Sequence, residues 1–201
     1  MDYTLLLKSI TGHISLSREE ESFFLSLLQN RKVRKKQMLF HEGMANRYMA
    51  FVISGCLRSF SIDKNGFEHV LQFAPPGWWI ADIRSLLTGQ PGRLNIDAVD
   101  DSTVVLLEQD QRNEICRKTP AFERYFRILA ENSLATYQHR LIDNLSLPAR
   151  ERYENFCRQY PSLINCLPQK QVAAYIGVTP EFLSKMLNAP SVRTDPHDNK
   201  L

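Results

Sequence analysis

Gln169-Lys170-Gln171-Val172-Ala173-Ala174-Tyr175-Ile176-Gly177-Val178-Thr179-Pro180-Glu181-Phe182-Leu183-Ser184-Lys185-Met186-Leu187 reads as two short helices joined by one tight turn. Counted from Gln169, Ala173 is fifth, Gly177 ninth, Leu183 fifteenth and Met186 eighteenth. A helix-turn-helix needs that pattern for steric reasons. The fifth residue must be small where the second helix crosses the first. The ninth takes positive φ, which Gly adopts without clash. Val172, Ile176, Val178, Leu183 and Met186 supply the apolar contacts that hold the two helices at a fixed angle. Thr179-Pro180 opens the second helix with an oxygen at the N-cap and Pro at the first helical position. Such a helix enters a DNA major groove by its N-terminal end. On the motif alone a plain helical hairpin in another core is an open alternative.

The rest of the composition suits a cytosolic protein. The chain has 201 residues, enough for one large or two small domains, with 43% apolar residues and a net charge of +3. No apolar run is long enough for a membrane span, and Met1-Asp2-Tyr3 lacks the basic start of a signal peptide. The four cysteines (Cys56, Cys116, Cys157, Cys166) are widely spaced, as free thiols are, and the five histidines are scattered. No clustered His/Glu set or nucleophile–base pair stands out, so an enzyme on a cupin-like barrel is disfavoured. The expected cofactor list is empty.

Upstream, the pattern has three parts. From Leu5 to Leu28 it is helical, with Ser17 and Glu20 as a capping box. Arg31 to Lys36 then carries five basic residues in six. Two readings are open for that run, a phosphate contact or a solvated approach to a strand. From Lys36 to Glu108, strands are predicted over Tyr48–Ile53, Cys56–Ile62, Phe67–Phe73, Leu94–Val99 and Thr103–Leu107, with Asn65-Gly66 as a hairpin turn. Many short strands with regular turns suggest a small barrel or jelly roll. From Pro120 to Leu145 a helix is predicted, ~39 Å long at 1.5 Å per residue. Its stripe of Phe122, Phe126, Leu129, Ser133, Tyr137 and Leu141 is assigned to a contact with a second copy, because the helix outreaches a small barrel. Ser146-Leu147-Pro148 ends it and forms a hinge. The expected divisions are 1–119 for the helices and barrel, 120–146 for the connecting helix, 147–189 for the helix-turn-helix domain and 190–201 for a disordered tail.

Barrel, long helix and C-terminal helix-turn-helix together resemble the Crp/Fnr family of bacterial transcription regulators. Phe40-His41-Glu42-Gly43 and Phe51-Val52-Ile53-Ser54-Gly55-Cys56-Leu57-Arg58 carry that likeness beside the C-terminal motif. Pro76-Gly77-Trp78-Trp79-Ile80-Ala81-Asp82 and Tyr175 to Ser184 resemble the Bacteroidetes-type subgroup. The resemblance implies an α+β chain with a cyclic-nucleotide-binding-like barrel and a winged-type helix-turn-helix. It also implies a homodimer on a two-fold double-stranded DNA operator, a small-molecule effector and contact with RNA polymerase.

For the barrel the resemblance implies a ribose carboxylate in a Gly-Glu-Leu turn and a phosphate-holding Arg beside a hydroxyl residue. Here Ala81-Asp82-Ile83 stands at the first place, one methylene shorter. Gly92-Arg93-Leu94-Asn95 stands at the second, with Arg93 one residue late and no hydroxyl beside it. A one-residue slip turns a strand side chain to the other face. A cyclic nucleotide is therefore not the expected effector. Trp78, Asp82 and Arg93 are the effector-pocket candidates, with one of Trp78 and Trp79 expected in the core. The first 40 residues hold no Cys for an iron–sulfur sensor, and His41 and His69 are the remaining candidates for haem ligation.

On the DNA side, Glu181 suits cytosine N4, and Lys185 a guanine edge or a phosphate. Thr179 and Ser184 suit phosphate, and Gln169 with Lys170 opens the first helix beside the backbone. By resemblance Pro180 stands where a base-reading Arg is usual. Phe182 has two readings, a thymine methyl contact or core packing. From Ser146 onward seven basic residues face five acidic, a balance of +2, which is thin for a duplex binder. The expected function is a dimeric, sequence-specific transcription regulator. The alternative is a ligand-sensing module whose DNA binding is weakened or lost.

Overall fold

The computed structural model describes residues 2–164 and 166–189. The N-terminal run forms two helices, α1 (Thr4–Thr11) and α2 (Arg18–Ser26), broken after Gly12. α2 starts at the capping box: Glu20 N–H donates to Ser17 Oγ at 3.2 Å, and Ser17 N–H donates to Glu20 Oε2 at 2.8 Å. No described helix is long and apolar enough to cross a membrane.

Six strands form one antiparallel sheet: β1 (Gln29–Val33), β2 (Met38–Phe40), β3 (Tyr48–Ile62), β4 (Glu68–Ala74), β5 (Trp79–Ile80) and β6 (Asn95–Glu108). β3 and β6 are each continuous where the sequence predicts two strands. Ser54-Gly55 falls in the break expected between the strands Tyr48–Ile53 and Cys56–Ile62, where the sequence suggests a turn, but Gly55 sits at φ +83° inside a series of register shifts between Val52 and Leu57. A Cβ there would stand 2.3 Å from Ser102 Oγ, so the close approach of β6 requires Gly. The bulges bend both long strands, and each half joins a different layer. One layer pairs β1, the end of β6, the start of β3 and β5. The other pairs β2, the start of β6, the end of β3 and β4.

Alternation along the strands then creates three apolar zones. Ala50, Val52, Leu57, Ile80, Ile96, Val104 and their neighbours fill the space between the layers. Met49, Phe51, Val105 and Leu107 face outward under α1, α2, α4 (Gln109–Lys118) and the start of α5 (Ala121–Ser146). Phe60, Val70, Phe73 and Val99 face outward on the other layer, under α6 (Ala149–Gln159), α7 (Gln169–Ile176) and α8 (Pro180–Asn188). The helix-turn-helix unit thus shares a core with the sheet of its own chain.

α5 has 26 residues, as long as predicted. Its first turns are not a subunit contact, however. Phe122 is fully buried and Phe126 nearly so, in a ring cluster with Phe24 and Tyr125, which corrects their assignment to a dimer face. Leu129, Ser133 and Tyr137 turn toward Gln72, Trp78 and Trp79 of the barrel. Of the expected stripe, Ser133, Tyr137 and Leu141 are exposed, and Leu141 is the apolar one farthest from the barrel wall. With Leu134, Ile142 and Leu145 it makes an exposed apolar ridge, 59–79% accessible, along the second half of α5. Among the described residues no strand follows β6, so the wing implied by the resemblance is not among them. Residues 190–201, the expected tail, lie outside the described residues.

Candidate nucleic-acid interface and effector site

The helix-turn-helix forms for the local reasons its spacing suggests. α7 ends at Gly177 in the left-handed region (φ +72°), and its N–H donates to the Ala173 carbonyl. Ala173, Val172, Ile176 and Leu183 are buried between α6, α7 and α8. Thr179 caps α8, with Oγ1 accepting from the Phe182 N–H at 3.2 Å, and Pro180 follows at the first helical position. Arg150 donates to the Met186 carbonyl at 2.8 Å, a cation at the helix C-terminus. Thr179, Glu181 and Lys185 are exposed, Pro180 and Ser184 half-buried, and Gln169 and Lys170 exposed at the start of α7. Phe182 is 52% exposed, so of its two readings core packing does not apply. From its cap to Lys185, α8 therefore presents one carboxylate, one ammonium and one ring to solvent, with the Thr179 and Ser184 hydroxyls beside them.

The barrel candidates do not come together. Asp82 is buried, caps α3 (Ile83–Thr88) and turns its carboxylate on its own backbone. Oδ1 accepts from the Ser85 N–H at 3.0 Å; Oδ2 accepts from the N–H groups of Arg93 and Leu94 at 2.8 and 3.1 Å. These backbone donors are thereby already occupied from within the chain. Gly92 is buried against the same carboxylate: a Cβ there would lie 2.8 Å from Asp82 Oδ2. Arg93 is exposed. Trp79 is the core member of the tryptophan pair, edge-on to Phe51 and donating from Nε1 to Tyr125 Oη at 2.9 Å. Trp78 is the open one, at 37%. It lines a cleft between the barrel and the C-terminal helices whose walls include neither Asp82 nor Arg93.

That cleft is organised by Arg140, which the sequence reading passed over. β4 is an edge strand with a bulge at Leu71, since Ser59 pairs with Gln72 and Phe60 with Val70. An edge bulge leaves adjacent carbonyls without ladder partners. Arg140 Nη2 donates to the Val70 carbonyl at 2.6 Å and Nη1 to the Leu71 carbonyl. Nη2 also donates, at 2.6 Å, to the Tyr175 carbonyl in the last turn of α7, and the guanidinium lies 3.8 Å from the Tyr175 ring centroid. One side chain of α5 thus ties the sheet edge to the helix-turn-helix. Around it, Phe73 packs on Phe156, Tyr160 and Tyr175, and Trp78 on Tyr160. Burial pushes the Arg140 pKa down and the Tyr160 and Tyr175 phenols up. The one hint in the sequence was a cation beside the Tyr137–Leu141 stripe.

The basic run splits between β1 and the following turn and is largely exposed; Lys35 pairs with Asp100 at 2.8 Å. His41 is exposed, and His69 Nε2 lies 3.1 Å from Asp63 Oδ2, a hydrogen bond that holds the Asp63 carboxyl below its ordinary range. Among the described residues no three His, Cys, Asp or Glu side chains converge as a metal site.

Residues 30–119 match the cyclic nucleotide-binding domain family. No curated protein matches the chain by sequence. Among solved structures the chain is similar to FixK2 of Bradyrhizobium japonicum, 20% identical with a TM-score of 0.70 over 80% of this chain and 82% of that one. It is similar to the catabolite activator protein of Thermus thermophilus, 23% identical with a TM-score of 0.56 over 86% and 83%. It is also similar to a Crp/Fnr family transcriptional regulator structure from Eubacterium rectale, 15% identical with a TM-score of 0.66 over 86% and 82%. The chain has the fold of the solved Crp/Fnr-type regulators, with residues 30–119 matching the cyclic nucleotide-binding domain.

Proposed function

We propose that this chain is a cytoplasmic, dimeric, sequence-specific DNA-binding transcription regulator of the Crp/Fnr type. The exposed face of α8 from Thr179 to Lys185 carries the reading. Glu181 and Lys185 stand one turn apart on one open face, in reach of base edges when the helix enters a major groove. Thr179, Ser184, Gln169 and Lys170 flank them at the height of the phosphates. The apolar ridge of Leu134, Leu141 and Leu145 steps by seven and four residues, the spacing of a helix seam, and supports a second copy packed along α5. A two-fold axis there presents two recognition helices to half-sites ~34 Å apart. RNA polymerase contact belongs to the same reading.

The effector is not a cyclic nucleotide on this reading, because Asp82 already accepts from the amides that its phosphate would use. Genome-wide enrichment of fragments by the purified chain, against a Glu181→Ala, Lys185→Ala variant, tests the proposal. A palindromic motif lost in the variant is the expected result. No enrichment at low salt, with or without cell extract, would sink it. The alternative, a sensing module with weakened DNA binding, draws support from the modest basic surface of α7 and α8, where Lys170 and Lys185 are the exposed cations.

A further inference from the structure

The cleft under the helix-turn-helix has cationic donors that the chain itself leaves unused. Arg140 and Arg152 both line a space of about 360 Å³ between α5, α6, α7 and the turn before β5. The Nε of each is buried and has no hydrogen-bond partner. Arg140 Nη1 and Nη2 go to carbonyl oxygens, and Arg152 Nη1 reaches the Asn144 carbonyl at 3.3 Å. Neither guanidinium is ion-paired among the described residues. Buried donors left unmade are rare in folded proteins and point to a partner. Asp143 is the carboxylate on this wall, and it accepts from Asn155 Nδ2 at 2.6 Å. Trp78, Phe156 and the ring of Tyr175 give the cleft flat apolar faces, and Thr136, His139 and Gln159 add polar side chains to its lining. A volume of that order holds a molecule of one or two rings.

We propose that this cleft is the effector site, taking a small planar organic anion of the aryl carboxylate class. The charged end lies on Arg140 and Arg152 and the ring against Trp78 and Tyr175. Arg152 keeps its Nε–Nη2 edge for the carboxylate, a fork that matches it in geometry as well as in charge, and Arg140, its Nη atoms already on carbonyls, adds charge and its Nε. The occupant touches the barrel, the long helix and the helix-turn-helix at once. It therefore binds the docked arrangement of these parts better than any opened one and shifts the population toward it. The position differs from the barrel pocket that the sequence suggested, where Asp82 closes the cradle.

The site concerns effector binding within the Crp/Fnr reading, but its test needs no DNA, so the two can fail separately. The full chain is titrated with 4-(trifluoromethyl)benzoate and, as the neutral control, 4-(trifluoromethyl)benzamide, following the ¹⁹F line width. The benzoate is expected to bind and the amide to bind at least about tenfold more weakly. Arg152→Gln is expected to weaken the benzoate about tenfold while keeping the wild-type circular dichroism, since Arg152 makes no contact with the sheet. Trp78→Ala should weaken benzoate and amide alike. Equal binding of acid and amide, wild-type affinity in folded Arg152→Gln, or no broadening at millimolar probe would each overturn the site.

Discussion

Asp82 shows how one side chain can turn a ligand cradle into a structural joint. Its carboxylate serves three backbone N–H groups that have no other acceptor, one as the cap of α3 and two in the loop before β6. Removing a cap costs about 1 kcal/mol, and each buried donor left orphaned adds ~1–3 kcal/mol. Asp82→Ala is therefore expected to lose at least about 3 kcal/mol of stability in urea denaturation. Gly92→Ala should destabilise as well, because its Cβ must displace the same carboxylate. Millimolar cyclic AMP should leave the melting temperature unchanged; a rise would show that an anion can still reach those amides. The departure at Asp82 and Arg93 was legible as a departure in the sequence. Its physical meaning was not, because nothing in Ala81-Asp82-Ile83 reveals that the carboxylate folds back across eleven residues of chain.

Among the elements, α5 divides its labour along its length. Its first turns are core, so Phe122→Ala should cost ~3–5 kcal/mol whether or not the chain is dimeric. Its second half carries the exposed ridge, so Leu141→Asp should yield monomers in sedimentation velocity while the domain still melts cooperatively. A variant that stays dimeric would move the subunit contact elsewhere. The period of the helix was readable, but which turns pack on their own barrel was not. A 3.6-residue repeat marks a face without naming what covers it. The same limit hid Arg140. A cation beside an apolar stripe looks solvated until the bulge at Leu71 and the end of α7 arrive from opposite sides. By contrast the helix-turn-helix was fully legible, because Ala173, Gly177 and Thr179-Pro180 each act within a few residues of themselves. Gly55 was misread for the opposite reason: a bulge and a turn use the same residue, and only the partner strand distinguishes them. A chemical probe follows from the docking of α6–α8. Cys56 lies in the core shared by the sheet and these helices, and burial pushes its thiol up to about 12. Cys166 is exposed. A neutral-pH thiol reagent should modify Cys166 quickly and Cys56 scarcely at all. Arg140→Gln should make Cys56 reactive by loosening the tie, with labelling read by mass spectrometry of peptides. Unchanged protection would mean that the aromatic cluster alone holds the unit in place.

For the molecule as a whole, charge sets what DNA binding can look like. Phosphate neutralisation supplies most non-specific affinity, and each contact contributes about −0.9 to the slope of log K against log salt. On the open surface of α7 and α8 the cations are Lys170 and Lys185, and Arg150 is committed to the Met186 carbonyl. Two copies on a two-fold site then offer about four such contacts, and the expected slope is roughly −3.6. Binding at low salt followed by a shallow decline is the signature of a reader that depends on base edges more than on charge. Lys185 is the residue that decides how its two roles divide. If it meets a phosphate, Lys185→Ala should flatten the slope by about 1.8 in the dimer and weaken all sequences alike. If it meets a guanine edge, the slope should hold and discrimination at one position of each half-site should fall by ~1–3 kcal/mol. Fluorescence anisotropy on the enriched operator and on single-base variants, at several salt concentrations, separates the two. We expect the second outcome, because Lys185 lies one turn beyond Glu181 and, like it, is exposed on α8.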